Sequence, residues 1–270
     1  MKVPCRHNFR SSLISLSVAF STSAAILFFP PVCTANPAYS KPRKDEIVRR
    51  FDKKIAKLIG KCTCTLDPSA DDAAGKPLGQ ITVQSFRNKE MSISVVSEEY
   101  ALRLFQEMTM QKKIPFGFPE DGCFARAHEM AFQLSLKGIV SDKGIATGKI
   151  FASGLFRLAN EQAAKGAVSW SFHVAPFVIV DTGKEHQIRV IDPSLFYEPV
   201  ALKEWLEALV VHSKAKLKSV YLTNRFVYHP SDRNRDLTDF DPDDLRKSHK
   251  LMKRYLKGEQ HRTRKHSPDL

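Results

Sequence analysis

Cys123 lies in the run Pro119-Glu120-Asp121-Gly122-Cys123-Phe124-Ala125-Arg126-Ala127-His128, between a turn-forming stretch and a helical pattern. With Asp121 as N-cap, the thiol falls in the first helical turn, where free backbone N–H groups and the helix dipole favour the thiolate. A thiolate placed there attacks carbonyl carbon, provided that a base stands nearby. His128 is on the same helix but about 140° round its axis, so it faces away. His173 is the better base. It sits in Val168-Ser169-Trp170-Ser171-Phe172-His173-Val174-Ala175-Pro176, where Trp170, Phe172 and Val174 alternate onto the face opposite the imidazole. Asp181-Thr182-Gly183-Lys184 separates this strand from the next, Gln187-Ile188-Arg189-Val190-Ile191-Asp192-Pro193. If Thr182-Gly183 form a two-residue hairpin loop, His173 and Asp192 are directly opposed, with Cβ atoms about 4.5–5.5 Å apart. A carboxylate there holds the imidazole tautomer and stabilises the imidazolium. The chemistry predicted is acyl transfer through a thiol. A one-residue slip of the hairpin would send one partner to the other face. His186 and His212 have no such partners and are expected at the surface.

These groups need a helix start and a sheet to hold them. Ser97-Glu98-Glu99 caps a helix to about Lys112, with Ala101, Leu104, Phe105 and Met108 inward. A second helix is expected over 122–137, stopped by Lys137-Gly138. Strand patterns occupy 80–95, 147–153, 167–180, 186–192 and 217–229, with a helix at 201–213 that turns Leu202, Trp205, Leu206 and Leu209 inward. Asp241-Pro242 opens a last helix that ends near Gly258. Upstream, residues 36–45 read as an extended linker. A basic amphipathic helix follows, with Ile47, Phe51, Ile55 and Leu58 on one face and Gly60 as its stop. Helices first and a mostly antiparallel sheet later give an α+β fold.

Composition bounds the rest. With 270 residues, 43% hydrophobic and 26% charged, the chain has a globular balance. Lys2, Arg6 and Arg10, then the apolar run Leu13 to Phe29 and the small-residue site Cys33-Thr34-Ala35, read as a signal peptide over residues 1–35. The protein is therefore expected to be secreted, periplasmic or extracellular. Of its five cysteines, Cys5 and Cys33 leave with that leader. Cys62 and Cys64 are able to pair with each other or elsewhere, and Cys123 is the odd thiol. The net charge of +13 suits nucleic acid, acidic proteins or an anionic surface. Nine Lys/Arg follow from Arg246 onward, against Glu259 and Asp269. Asp232, Asn234 and Asp236 have the spacing of a calcium loop but lack its glycine and its twelfth-position Glu, so no metal site is expected.

The blocks Asp121-Gly122-Cys123-Phe124-Ala125-Arg126-Ala127-His128, Trp170-Ser171-Phe172-His173-Val174-Ala175 and Ile191-Asp192-Pro193-Ser194-Leu195-Phe196 resemble three motifs of bacterial protein-glutaminases. These are secreted enzymes that deamidate glutamine side chains in proteins. The likeness extends more faintly over 97–255 and includes Phe226-Val227-Tyr228-His229-Pro230-Ser231. It implies a transglutaminase-like (papain-like) core, a catalytic triad of Cys123, His173 and Asp192, protein or peptide substrates, and no cofactor. Trp170 and Phe196 are candidates for the substrate pocket, with core packing as the alternative for both. Fewer cysteines than in that family leave its disulfides out of the expectation. The resulting organisation is a leader over 1–35, an N-terminal arm or pro-segment over 36–96, a catalytic domain over 97–257 and a basic disordered tail over 258–270. A monomer is expected. Transamidation or thiol proteolysis would use the same three residues. A binding protein for nucleic acid or an anionic surface, through the basic helix and tail, is the reading from another class.

Overall fold

Strand propensity and helical periodicity assemble around one long strand. The computed structural model describes residues 42–60, 76–136, 144–159, 163 and 166–266, all within the unit spanning 36–270. The expected leader, Cys62, Cys64 and the Lys137-Gly138 stop lie outside the described residues. In chain order the elements are α1 (Pro42–Ala56), β1 (Gly79–Gln84), β2 (Glu90–Val96), α2 (Glu98–Thr109) and α3 (Cys123–Ser135). Then come β3 (Gly148–Ala159), β4 (Ala167–Asp181), β5 (His186–Val190), β6 (Val200–Ala201), α4 (Leu202–Val210), β7 (Lys216–Asn224) and α5 (Pro242–His266). The sheet runs β1-β2-β4-β3-β7, with β5 on β4 and β6 on β5. All pairings are antiparallel except β2 with β4. The fold is α+β.

Two apolar layers sandwich the sheet. On one face, Val48, Phe51 and Ile55 of α1 and Trp205, Leu206 and Leu209 of α4 pack with Ile150, Phe156, Phe177 and Leu222. Leu104, Phe105 and Met108 of α2, Met130 and Leu134 of α3 and Met252 of α5 pack on Val178 and Val180 in the other. The basic amphipathic helix thus docks its apolar stripe on its own domain.

Several boundaries differ from expectation. α1 begins at Pro42, inside the expected linker, because proline's fixed φ suits a first helical position. β7 ends at Asn224, whose side chain accepts from the N–H groups of Phe226 and Val227 and turns the chain out of the sheet. α5 passes through Gly258 to His266, so residues 258–266 are helical rather than a disordered tail. Gly258 serves close approach, not termination: a Cβ there would come within 2.8 Å of the Phe118 ring. α2 matches its expected cap, with Ser97 Oγ accepting from Tyr100 N at 3.0 Å. His186 and His212 lie half-buried at the surface, and His212 Nδ1 accepts from Lys214 N at 3.1 Å.

Candidate active site

α3 starts at Cys123 because the residue before it is a glycine able to adopt φ +85°. Gly122, not Asp121, is the N-cap. A Cβ at Gly122 would come within 2.6 Å of Tyr255, so the left-handed turn and the α5 contact both require glycine. Asp121 instead brackets this turn. Its Oδ1 accepts from Gly122 N at 2.6 Å, and its Oδ2 accepts from the Tyr255 hydroxyl at 2.6 Å. Tyr255 also stacks on Phe118, with centroids 4.4 Å apart. Ser248 Oγ donates to Ala125 O at 3.0 Å, so α5 braces the start of α3 twice. The first-turn N–H groups beside Cys123 have no acceptor within the helix. Cys123 is a free thiol, 8% exposed.

His173 is 1% exposed on β4, and its Nε2 lies 2.8 Å from Asp192 Oδ2. The hairpin differs from expectation. Phe177 pairs with Val190 and Asp181 with His186, which leaves a four-residue loop over 182–185. Thr182 closes that loop by bonding Glu185 through both main chain and hydroxyl, while Asp181 Oδ1 accepts from Gly183 N. The register is displaced by two residues. An even displacement keeps side-chain parity, so Asp192, just past the end of β5, still turns toward the imidazole. Its Oδ2 also accepts from Trp205 Nε1 at 2.9 Å, and its Oδ1 from Ser194 N at 3.2 Å.

Trp170 does not face away from His173 as alternation predicted. The β3–β4 register shifts between Ser153 and Phe156, and the indole stacks on the imidazole with centroids 4.7 Å apart. Trp205 covers the ring as well, at 5.6 Å. Trp170 Nε1 donates to Pro119 O at 3.0 Å, tying the loop before Cys123 to β4. Phe196 lies against the layer beneath α4, and its N–H donates to Asp192 O at 3.0 Å.

The electrostatics follow from burial. Desolvation alone would lower the His173 pKa, but the charge and hydrogen bond of Asp192, with a contribution from Cys123, raise it to about 9. Burial alone would raise Asp192, yet His173, Trp205 and Arg126 hold it below the ordinary carboxylate value. The other imidazole nitrogen, Nδ1, is buried and is the one left to face Cys123, whose hydrogen bond and charge also raise the imidazole. The arrangement is a protonated imidazole oriented by a carboxylate, with its remaining nitrogen open beside a thiol at a helix start.

Two groups escaped the sequence reading. Arg126, 2% exposed, is three residues from Cys123 and so near it on the helix surface, the one signal that would have found it. Its Nη1 donates to Phe118 O and Asp121 O at 3.0 and 2.9 Å, fixing the loop that leads into α3. Burial lowers its pKa, against the opposing charges of Cys123, Asp192 and Asp121. The second is Lys149, fully buried in β3, whose Nζ lies 2.7 Å from both His128 Nδ1 and Val227 O. Burial, then Lys149, pushes His128 down to about 2, so His128 is a neutral core group. No cluster of three or more His, Cys, Asp or Glu able to hold a metal occurs among the described residues. Asp232 and Asp236 are engaged elsewhere, with His229 N and Lys89.

Residues 101–209 match the family model Gln_deamidase_2, described as glutaminase. Among solved structures, the NMR structure of protein-glutaminase from Chryseobacterium proteolyticum is 28% identical, covers 60% of this chain and 88% of its own, and has a TM-score of 0.49. A crystal structure of protein-glutaminase is 27% identical, with 59% and 87% coverage and a TM-score of 0.49. A crystal structure of pro-protein-glutaminase is 24% identical, with 80% and 68% coverage and the same TM-score of 0.49. No curated protein matches the chain.

Proposed function

We propose that the chain is a member of the glutaminase family whose model matches residues 101–209, a hydrolase that deamidates glutamine side chains of proteins or peptides. One observation carries the reading: within the matched segment, Cys123, His173 and Asp192 converge from a helix start, a strand and the turn after the next strand. Their roles follow from the geometry. With the proton of the Sγ–Nδ1 pair already on the imidazole, Sγ attacks the amide carbon of glutamine. The tetrahedral oxyanion is met by N–H groups of the first turn of α3, and losing one such donor costs about 10²–10³ in rate. The C–N bond breaks as His173 returns the proton to the departing ammonia. Water, deprotonated by His173, then cleaves the thioester to release glutamate and the thiol. Asp192 holds the imidazole and balances its charge throughout.

Export by the leader over residues 1–35 belongs to the same proposal, and places the enzyme among extracytoplasmic protein substrates. Ammonia release from a glutamine-rich protein, compared with free glutamine, tests the activity. Cys123→Ala is expected to abolish release, because the three groups act as a unit. Release at the parent rate by Cys123→Ala overturns the mechanism. Cross-linked products in place of glutamate would reassign the second step to an amine acceptor, and peptide cleavage would reassign the scissile bond.

A further inference from the structure

The ends of β3 and β7, the β1–β2 hairpin and the loop over 233–238 enclose a pocket of about 400 Å³ that none of Cys123, His173 and Asp192 lines. That volume suits one or two side chains and falls within the usual range of ligand sites. Its charges are unevenly matched. Lys89 pairs with Asp236 at 2.8 Å, and Arg235 with Asp241 and Asp244 at 2.9 and 3.3 Å. The lining carboxylate of Glu90 is exposed and accepts from Gln84 at 3.3 Å.

Arg225 and Arg233, by contrast, form no ion pair among the described residues. Their guanidinium carbons sit over aromatic rings, Arg225 over Phe226 at 4.8 Å and Arg233 over Phe86 and Tyr221 at 5.4 and 5.9 Å. Two atoms of lining residues, Arg225 Nε and Thr147 Oγ1, are buried with no hydrogen-bond partner among the described residues. An anion bearing acceptor oxygens is the ligand with which a guanidinium pairs best.

We propose that this pocket binds a side-chain carboxylate of an acidic peptide segment and, on the glutaminase reading of the Cys123 site, serves as a second contact for acidic protein substrates. The aromatic walls suit the methylene stem of such a side chain. Packed aromatic rings link the pocket's wall to the apolar cluster around the nucleophile. Phe86 packs on Tyr221 at 5.3 Å and Tyr221 on Phe151 at 5.3 Å, within the cluster that holds Cys123.

The test is fluorescence anisotropy of Cys123→Ala with a labelled, glutamine-free peptide rich in Asp and Glu, against the same peptide with Asn and Ser in their place. The acidic peptide is expected to bind at least about tenfold more tightly, and Arg225→Gln/Arg233→Gln to remove that preference. Arg233→Glu, on an exposed side chain, provides the same comparison should the double variant fail to fold. Unchanged affinity in a folded variant overturns the proposal. So does equal competition by free acetate or inorganic phosphate, which would mark an unspecific anion site. Ammonia release by the parent protein from a neutral glutamine peptide, run alongside, tests the glutaminase reading by itself. Its failure leaves the peptide-binding result standing.

Discussion

Two hydrogen bonds on one carboxylate oxygen, from His173 and Trp205, determine the charge state of the site. Because His173 is raised to about 9 from 6.5, its pairing with Asp192 stabilises the fold fully below about pH 6.5, and that contribution is lost as pH rises toward 9. Asp192 is lowered from 3.8, so its contribution is present above that value and is lost as pH falls below it. The stability difference between the parent and Asp192→Asn, measured by urea unfolding, is therefore expected to be greatest between about pH 4 and 6.5 and to shrink toward pH 9. The same substitution removes the group that sets the imidazole tautomer, and a loss of about 10³–10⁴ in kcat is expected. Trp205→Phe keeps the ring over His173 but deletes a buried donor to a charged acceptor. About 1.5–3 kcal/mol of stability should go with it, read as a lower urea midpoint.

At the scale of elements, two glycines make opposite demands on helix intuition. Gly258 lies inside α5, where alanine would ordinarily add up to about 1 kcal/mol of helix stability. Against Phe118, Gly258→Ala is expected instead to lower the denaturation midpoint and to loosen the loop before α3. Gly122→Ala forces a non-glycine residue into the left-handed region, at about 1–3 kcal/mol, and drives its Cβ into Tyr255. Activity should fall further than stability alone explains, since Cys123 is the next residue. A kcat equal to the parent's would mean that the N-cap turn does not position the thiol. The strands teach a parity lesson. The hairpin loop is two residues longer than Thr182-Gly183 suggested, yet Asp192 still meets His173. Trp170 did change faces: it packs in the same layer as Ala175 and Phe177, which strict alternation along β4 does not give.

For the whole molecule, the arm over residues 36–96 contributes to the folded body. Val48, Phe51 and Ile55 of α1 are buried in one layer, and β2 pairs with β4. Burying each such side chain contributes about 1.5–3 kcal/mol. Deleting residues 36–58 is thus expected to lower the urea midpoint sharply and to leave ammonia release only in what remains folded. An unchanged midpoint would make α1 an accessory that can be removed as a pro-segment. The basic charge is spread over the surface: α1 turns Arg49, Arg50, Lys53 and Lys54 outward, and beside the pocket Arg225 and Arg233 form no ion pair among the described residues.

Residue types and spacing alone carried the choice of Cys123, His173 and Asp192, the α+β class, the buried stripes of α2 and α4, and the Ser97 cap. All of these rest on periodicities of two or 3.6 residues and on local capping chemistry, which act over a few residues and so are visible in the chain. Tertiary structure decided what those periodicities cannot reach. It set Gly122 rather than Asp121 at the helix start, because Tyr255 of a distant helix fills the space. It carried α5 past Gly258, because Phe118 needs the missing Cβ. It buried Arg126 beside Cys123 and brought the Trp205 indole N–H to Asp192, charges and donors from separate elements that find one another only once the layers have closed.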